Sequence, residues 1–163
     1  MSIKEIFKHY LYQLEVIVSR IPPENFSLAL SEGMFSLEMN AKIAANFVLR
    51  GYCPLLHQDV VSFISDEPGK AAVKKQIADT LAYLSDLPEV MRLNDKELVK
   101  DTAGFIEVEF SQPLFIHQYI LPNFIFHISM VYAIAKANGV ELSKGDFDGI
   151  HSYPNGFSFI SSP

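Results

Sequence analysis

The chain has 163 residues and a mass of 18.3 kDa, the length of one domain, and its 49% hydrophobic residues against 20% charged exclude a disordered chain. The formal charge is −6 and the thirteen Lys and Arg are scattered singly, so the concentrated basic face that a phosphate backbone requires is missing and nucleic acid is not an expected partner. Cys53 is the only cysteine, which excludes an intrachain disulfide and a thiolate zinc site and suits a reducing interior.

The N-terminus, Met1-Ser2-Ile3-Lys4-Glu5, has no long apolar region followed by small residues, so the expected location is cytoplasmic. Ser2 and Glu5 have the spacing of a capping box. Behind them Ile3, Phe7, Leu11, Leu14, Ile17 and Val18 recur at helical spacing until Pro22-Pro23, which predicts the first helix. A second helix is predicted from Met34 to Arg50, with Leu37, Ala41, Ala44, Phe47 and Val48 on one face and Gly51 and Pro54 marking its end. Asp66-Glu67-Pro68 reads as the acidic, proline-containing start of a third, whose stripe is Val73, Ile77, Leu81 and Leu84. Ile106-Glu107-Val108-Glu109-Phe110 alternates with period two, so a short strand or hairpin is expected in the long connection that follows. Ser111-Gln112-Pro113 then opens a last helix that runs to Ala137 and stops at Asn138-Gly139.

From Leu114 to Ala137 that helix is long and apolar enough to cross a bilayer. His117, Gln118, Asn123, His127 and Ser129 lie within it and would be costly in lipid, so a buried central helix is the better reading. The fold class is therefore all-α: a four-helix bundle over residues 1–149, with a short strand or hairpin before the last helix. Residues 150–163 form an aromatic tail with Tyr153-Pro154-Asn155-Gly156 as a turn signal. Phe157, Phe159 and Ile160 are expected to dock it on the bundle or on a neighbouring subunit.

On a helical wheel Gln118, Ser129 and Lys136 define the wet side of the last helix. Asn123 and His127 fall opposite, among Tyr119, Phe124, Val131 and Ile134. On the second helix Glu38, Lys42, Asn46 and Arg50 mark the solvated half, while Asn40 points inward with Ala44 and Phe47. Three polar groups facing one core leave two readings open, because a buried amide or imidazole without partners costs on the order of 1–3 kcal/mol. One is a closed hydrogen-bond network that fixes helix register. The other is a site in which His127 binds a ligand or transfers a proton beside a small cavity. A metal is the weaker form of the second reading, since an amide offers only a neutral oxygen. His9 reads as solvated, His57 as a surface residue near a helix end, and His117 as second to His127. Cys53 reads as a small buried hydrophobe, and Asp146, Asp148 and His151 as Asx turns, the calcium-loop spacing being absent.

Leu121-Pro122-Asn123-Phe124-Ile125-Phe126-His127, then Tyr132-Ala133-Ile134 and Asn138-Gly139-Val140, resembles an uncharacterised bacterial family of the DinB/YfiT-like superfamily. Lys144-Gly145-Asp146-Phe147-Asp148-Gly149 is similar to that family's closing motif. The resemblance extends more loosely back to the first helix and covers residues 3–149, with departures at Gly33, Ser36 and Asn40. It implies a DinB-like four-helix bundle, often dimeric, whose better-known relatives hold a metal on three histidines and include thiol-dependent transferases and isomerases. It also implies that the late histidine pair corresponds to Asn123 and His127, and the helix-two histidine to a position near Asn40. At most one of three ligands then remains.

The leading expectation is a cytoplasmic homodimer without a cofactor that binds a small molecule or partner through Asn40, Tyr119, Asn123 and His127. The alternative is a zinc- or nickel-dependent thiol transferase or hydrolase that uses His127 with His117 or His57.

Overall fold

A computed structural model describes residues 2–154 and 157. Helix α1, Ile3–Arg20, begins on the expected capping box: Ser2 accepts from the Glu5 N–H, and the Glu5 carboxylate accepts from the Ser2 N–H at 2.7 Å. Its stripe Phe7, Leu11, Leu14, Ile17 and Val18 is fully buried. Helix α2, Leu37–Tyr52, is capped by the Ser36 hydroxyl, which receives the Met39 N–H at 3.2 Å. The helix therefore starts three residues after Met34, where a serine supplies an N-cap. Gly51 does not end it. A β-carbon at Gly51 would run into Ile120 of the last helix, so the glycine lets two backbones approach, and a 3-10 turn, Cys53–Leu56, closes the segment.

Helix α3 spans Lys70–Asp86 and buries Val73, Ile77, Leu81 and Leu84 as expected. The acidic run at Asp66-Glu67-Pro68 lies outside it, in a loop tied to α2 where the Gly69 N–H donates to Glu38 at 2.9 Å. The expected strand is one half of an antiparallel hairpin, β1 (Leu98–Ala103) and β2 (Ile106–Ser111). Gly104, at φ +64, makes its two-residue turn with Phe105. Helix α4, Gln112–Ala137, runs unbroken through a π-helical segment, Phe115–Ile120, and a short α5, Lys144–Asp148, follows.

Helix α2 is the hub: it packs most extensively on α4 and next on α3, while α1 packs on α3 and α5. Ala41, Ala44 and Ala45 of α2 and Phe115, Ile116, Ile120, Phe124, Ile128, Val131 and Ile134 of α4 are buried in one core, where Gly51 meets Ile120 and Phe124 meets Phe7 of α1. The exposed positions of α4 include His117, Gln118 and Lys136 but also Leu114 and Phe126, so α4 buries one face in the bundle and leaves a mixed polar and apolar edge.

Lys42 corrects the solvated assignment of its helix face. It is 5% exposed, and its ammonium donates to Ser65 O at 3.0 Å and Glu67 O at 2.6 Å and pairs with Glu38 at 2.8 Å. Lys4 and Lys70 act alike, Lys4 on Ser85 O and Leu87 O at the C-terminal end of α3, Lys70 on Ser19 O and Ile21 O at that of α1. The ammonium groups of Lys4 and Lys70 thus satisfy carbonyls that a helix end leaves without intrahelical partners, whereas Lys42 holds loop carbonyls ahead of α3. Tyr52 anchors the long connection, its hydroxyl donating to Pro88 O and accepting from the Val90 N–H, both at 3.0 Å.

Candidate functional site

Along the α2–α4 seam, polar and aromatic side chains alternate in one row. At one end the Asn40 amide donates both hydrogens to carbonyls of the preceding turn, Phe35 O at 3.1 Å and Ser36 O at 2.9 Å. Its orientation is thereby settled. The remaining Oδ1 lies 2.9 Å from His127 Nδ1 and can only accept, so Nδ1 carries the proton. Burial pushes the His127 pKa below its ordinary value, which keeps the ring neutral near pH 7. Nε2 is then an unprotonated acceptor. It has no partner among the described residues, and His127 retains 7% exposure.

Rings surround this imidazole. Phe47 stacks on it at 5.9 Å and 23°, Phe126 meets it edge-on at 5.1 Å, and Phe35 lies tilted at 6.5 Å. Phe35 and Phe126 are themselves more than half exposed, so the imidazole sits under an apolar rim rather than deep in the core. Such a group offers hydrogen-bond acceptance or proton abstraction to a small molecule carrying an N–H or O–H.

Phe47 links this end to the other. Its ring also meets Tyr119 edge-on at 6.2 Å and carries the Arg50 guanidinium at 5.1 Å. Arg50 grips Asp101 of β1 through two bonds of 2.7 and 3.0 Å, donates to Thr102 O at 2.5 Å and to the Tyr119 hydroxyl at 2.8 Å. Burial lowers the Arg50 pKa, but Asp101 outweighs it and the value rises above the ordinary one. Burial pushes the Tyr119 phenol up against the opposing pull of Arg50. Phe110 of β2 stacks on Tyr119 at 6.0 Å and completes the cluster, which clamps the hairpin to the bundle.

Of the expected residues, Asn40 and His127 meet directly, and Tyr119 lies on the same row beyond Phe47. Asn123 does not join them. It is half-buried, and its amide donates to Tyr119 O at 2.7 Å, one turn back on its own helix at the π-helical segment. Asn40, from the other helix, is the partner of His127. Arg50 is only partly exposed, because the hairpin folds over it; a wheel drawn on one helix has no means of placing Asp101.

The histidines do not converge either. His117 is exposed and lies ten residues from His127, roughly 15 Å along a helix axis. His57 is exposed and 3.3 Å from Glu97. Among the described residues no group of three His, Cys, Asp or Glu could hold a metal ion. Asn40 and Asn123 are poor replacements for the missing imidazoles, since an amide offers only a neutral oxygen and that of Asn40 is already taken by His127. A three-histidine metal centre does not fit this donor set.

Elsewhere Cys53 is fully buried. His9 is half-buried and donates to Asp148 O at 2.7 Å, which corrects its solvated reading. Asp146 forms a capping box with Ser143 and pairs with Arg20 at 3.1 Å. The Asp148 carboxylate accepts the His151 and Ile150 N–H groups and the His151 ring, and these bonds bring its pKa down to about 2. Tyr153 stacks on His151 at 6.0 Å and on Phe157 at 5.1 Å, whereas Phe159 and Ile160 lie outside the described residues.

No curated protein matches the sequence. A crystal structure titled as a DinB family member protein from Shewanella denitrificans superposes with a TM-score of 0.74 at 20% identity, covering 94% of this chain and 92% of that one. The helical order with an inserted hairpin is therefore a DinB-like fold. A family model described as a domain of unknown function, DUF1993, matches residues 11–148, so the chain belongs to the DUF1993 family.

Proposed function

We propose that this DUF1993 protein binds a small molecule bearing an N–H or O–H donor at His127, without a resident metal, and works as a cytoplasmic homodimer. One observation carries the reading. Asn40 fixes the His127 tautomer so that a neutral Nε2 is left as an acceptor on a ring bordered by Phe35 and Phe126, with no partner of its own among the described residues. Nε2 is not sealed, so it can be reached from solvent, and a lone pair framed by exposed rings favours a donor carried on an apolar body. The same segment exposes Met34 and Met39 beside Phe35, apolar surface that supports a subunit contact around the opening.

Phenol, an apolar ring with one donor, is a suitable probe. In protein labelled with ¹⁵N-histidine, titration with phenol should shift the His127 Nε2 resonance saturably and leave Nδ1 little changed. A linear drift of all five histidines alike overturns the reading. Untagged protein should carry zinc and nickel far below one equivalent; a stoichiometric ion lost on His127→Ala would restore the metal-dependent transferase or hydrolase. Light scattering after size exclusion that reports monomer alone at micromolar concentration removes the dimer.

A further inference from the structure

On the far side of α2 from His127 Nε2, a second group lacks a partner. Gln76, on α3, is 3% exposed; its Nε2 donates to Lys42 O at 2.9 Å, while its Oε1 is buried with no hydrogen bond. The neighbouring donors are committed. The three Lys42 ammonium contacts go to Ser65 O, Glu67 O and Glu38, and Lys75 is held by Asp79 at 2.5 Å. An orphaned acceptor of this kind is uncommon in a folded chain and points to a donor that comes from outside.

Gln76 lines a cleft of about 420 Å³ between the loop before α3 and the first turns of that helix, a size within the range of small-ligand sites. Phe63, Pro68, Ala71 and Ala72 give it apolar walls. Glu67 and Asp79 face the single cation Lys75, which Asp79 already neutralises, so one negative charge is left over. We propose that this cleft binds a small arylammonium or alkylammonium ion, its apolar body against Phe63 and the alanines, its N–H received by Gln76 Oε1 and its charge balanced by Glu67. Binding requires the carboxamide to turn outward, since Oε1 is sealed in the unliganded chain.

The test is an amide NMR titration of the whole chain with benzylamine, benzyl alcohol and toluene, which share a ring and differ in charge and donor. Benzylamine should saturate in the range of roughly 1 mM, shifting the Gln76 side-chain amide and the Ala71 and Ala72 backbone amides. Benzyl alcohol should bind more weakly and toluene weakest. Gln76→Leu should weaken benzylamine about tenfold while leaving toluene unchanged. Ala71→Phe, at an exposed helix position that leaves Gln76 in place, should fill the cleft and abolish all three. The proposal is overturned by toluene binding as tightly as benzylamine, by shifts that map elsewhere, by unaltered binding to Ala71→Phe, or by no saturation at all.

Discussion

The two ends of the α2–α4 row share Phe47 and the same pair of helices, yet they are finished differently. Around Arg50, Nε and Nη2 are shared among the Asp101 carboxylate, Thr102 O and the Tyr119 hydroxyl, and the Phe47 and Tyr119 rings lie against the guanidinium. Around His127 one nitrogen is tied and the other is not. A network directed mainly at the chain's own hairpin serves to hold that hairpin in place. An incomplete one, kept in a single tautomer by a rigid neighbour, has its remaining lone pair directed before any ligand arrives, which lowers the ordering cost of binding.

Four substitutions or conditions test that contrast. The largest effect is expected from Gly51→Ala, which pushes the helices apart at Ile120 and should disturb both ends together, at about 2–3 kcal/mol in urea unfolding. Next, Asp101→Ala should strip the partly exposed Arg50 of its counter-ion and cost about 2 kcal/mol. Amide exchange in Leu98–Ser111 should rise while the His127 ring signals stay in place; movement of the His127 signals would mean that Phe47 couples the two ends. Asn40→Leu should cost about 1 kcal/mol and leave His127 without its acceptor, so ring ¹⁵N shifts should report mixed tautomers in place of one. A ring that keeps its Nδ1–H form would show that Asn40 is not what fixes it.

The smallest effect is a pH dependence. Because burial lowers the folded-state pKa of His127, the unfolded chain binds the proton more readily. Stability is therefore retained above the ordinary histidine pKa and declines as pH falls below it, by no more than about 1.4 kcal/mol per pH unit. Between pH 7.5 and 5.5, His127→Phe should lose less thermal stability than the parent chain, and parallel curves would remove the assignment.

Sequence patterning made some of this legible and left the rest hidden for definable reasons. The stripes of α1 and α3 and the capping box at Ser2 depend on neighbours three and four residues apart, and the structure follows them. The inward turn of Asn40 and His127 was likewise visible on their wheels, although which amide would meet the imidazole was not: Asn123 is one turn away on the same helix, and the nearby Tyr119 carbonyl captures it first. Lys42 and Arg50 defeat a wheel for the same reason. Both lie on the polar half of α2, and both are covered by segments distant in the chain, the loop before α3 and the β-hairpin. Long polar side chains can be buried when backbone carbonyls or a carboxylate are brought to their tips, and that depends on topology rather than on local period.

The ammonium groups of Lys4 and Lys42 have a practical consequence. Each is under a tenth exposed and holds two main-chain oxygens, so an acylating reagent should reach it only when the surrounding segments separate. Acetylation followed residue by residue in a mass spectrometer would thus time the opening of two junctions separately, α1 with the end of α3 and α2 with the loop ahead of α3, while Lys100 and Lys75 on the outside supply the unprotected reference rate.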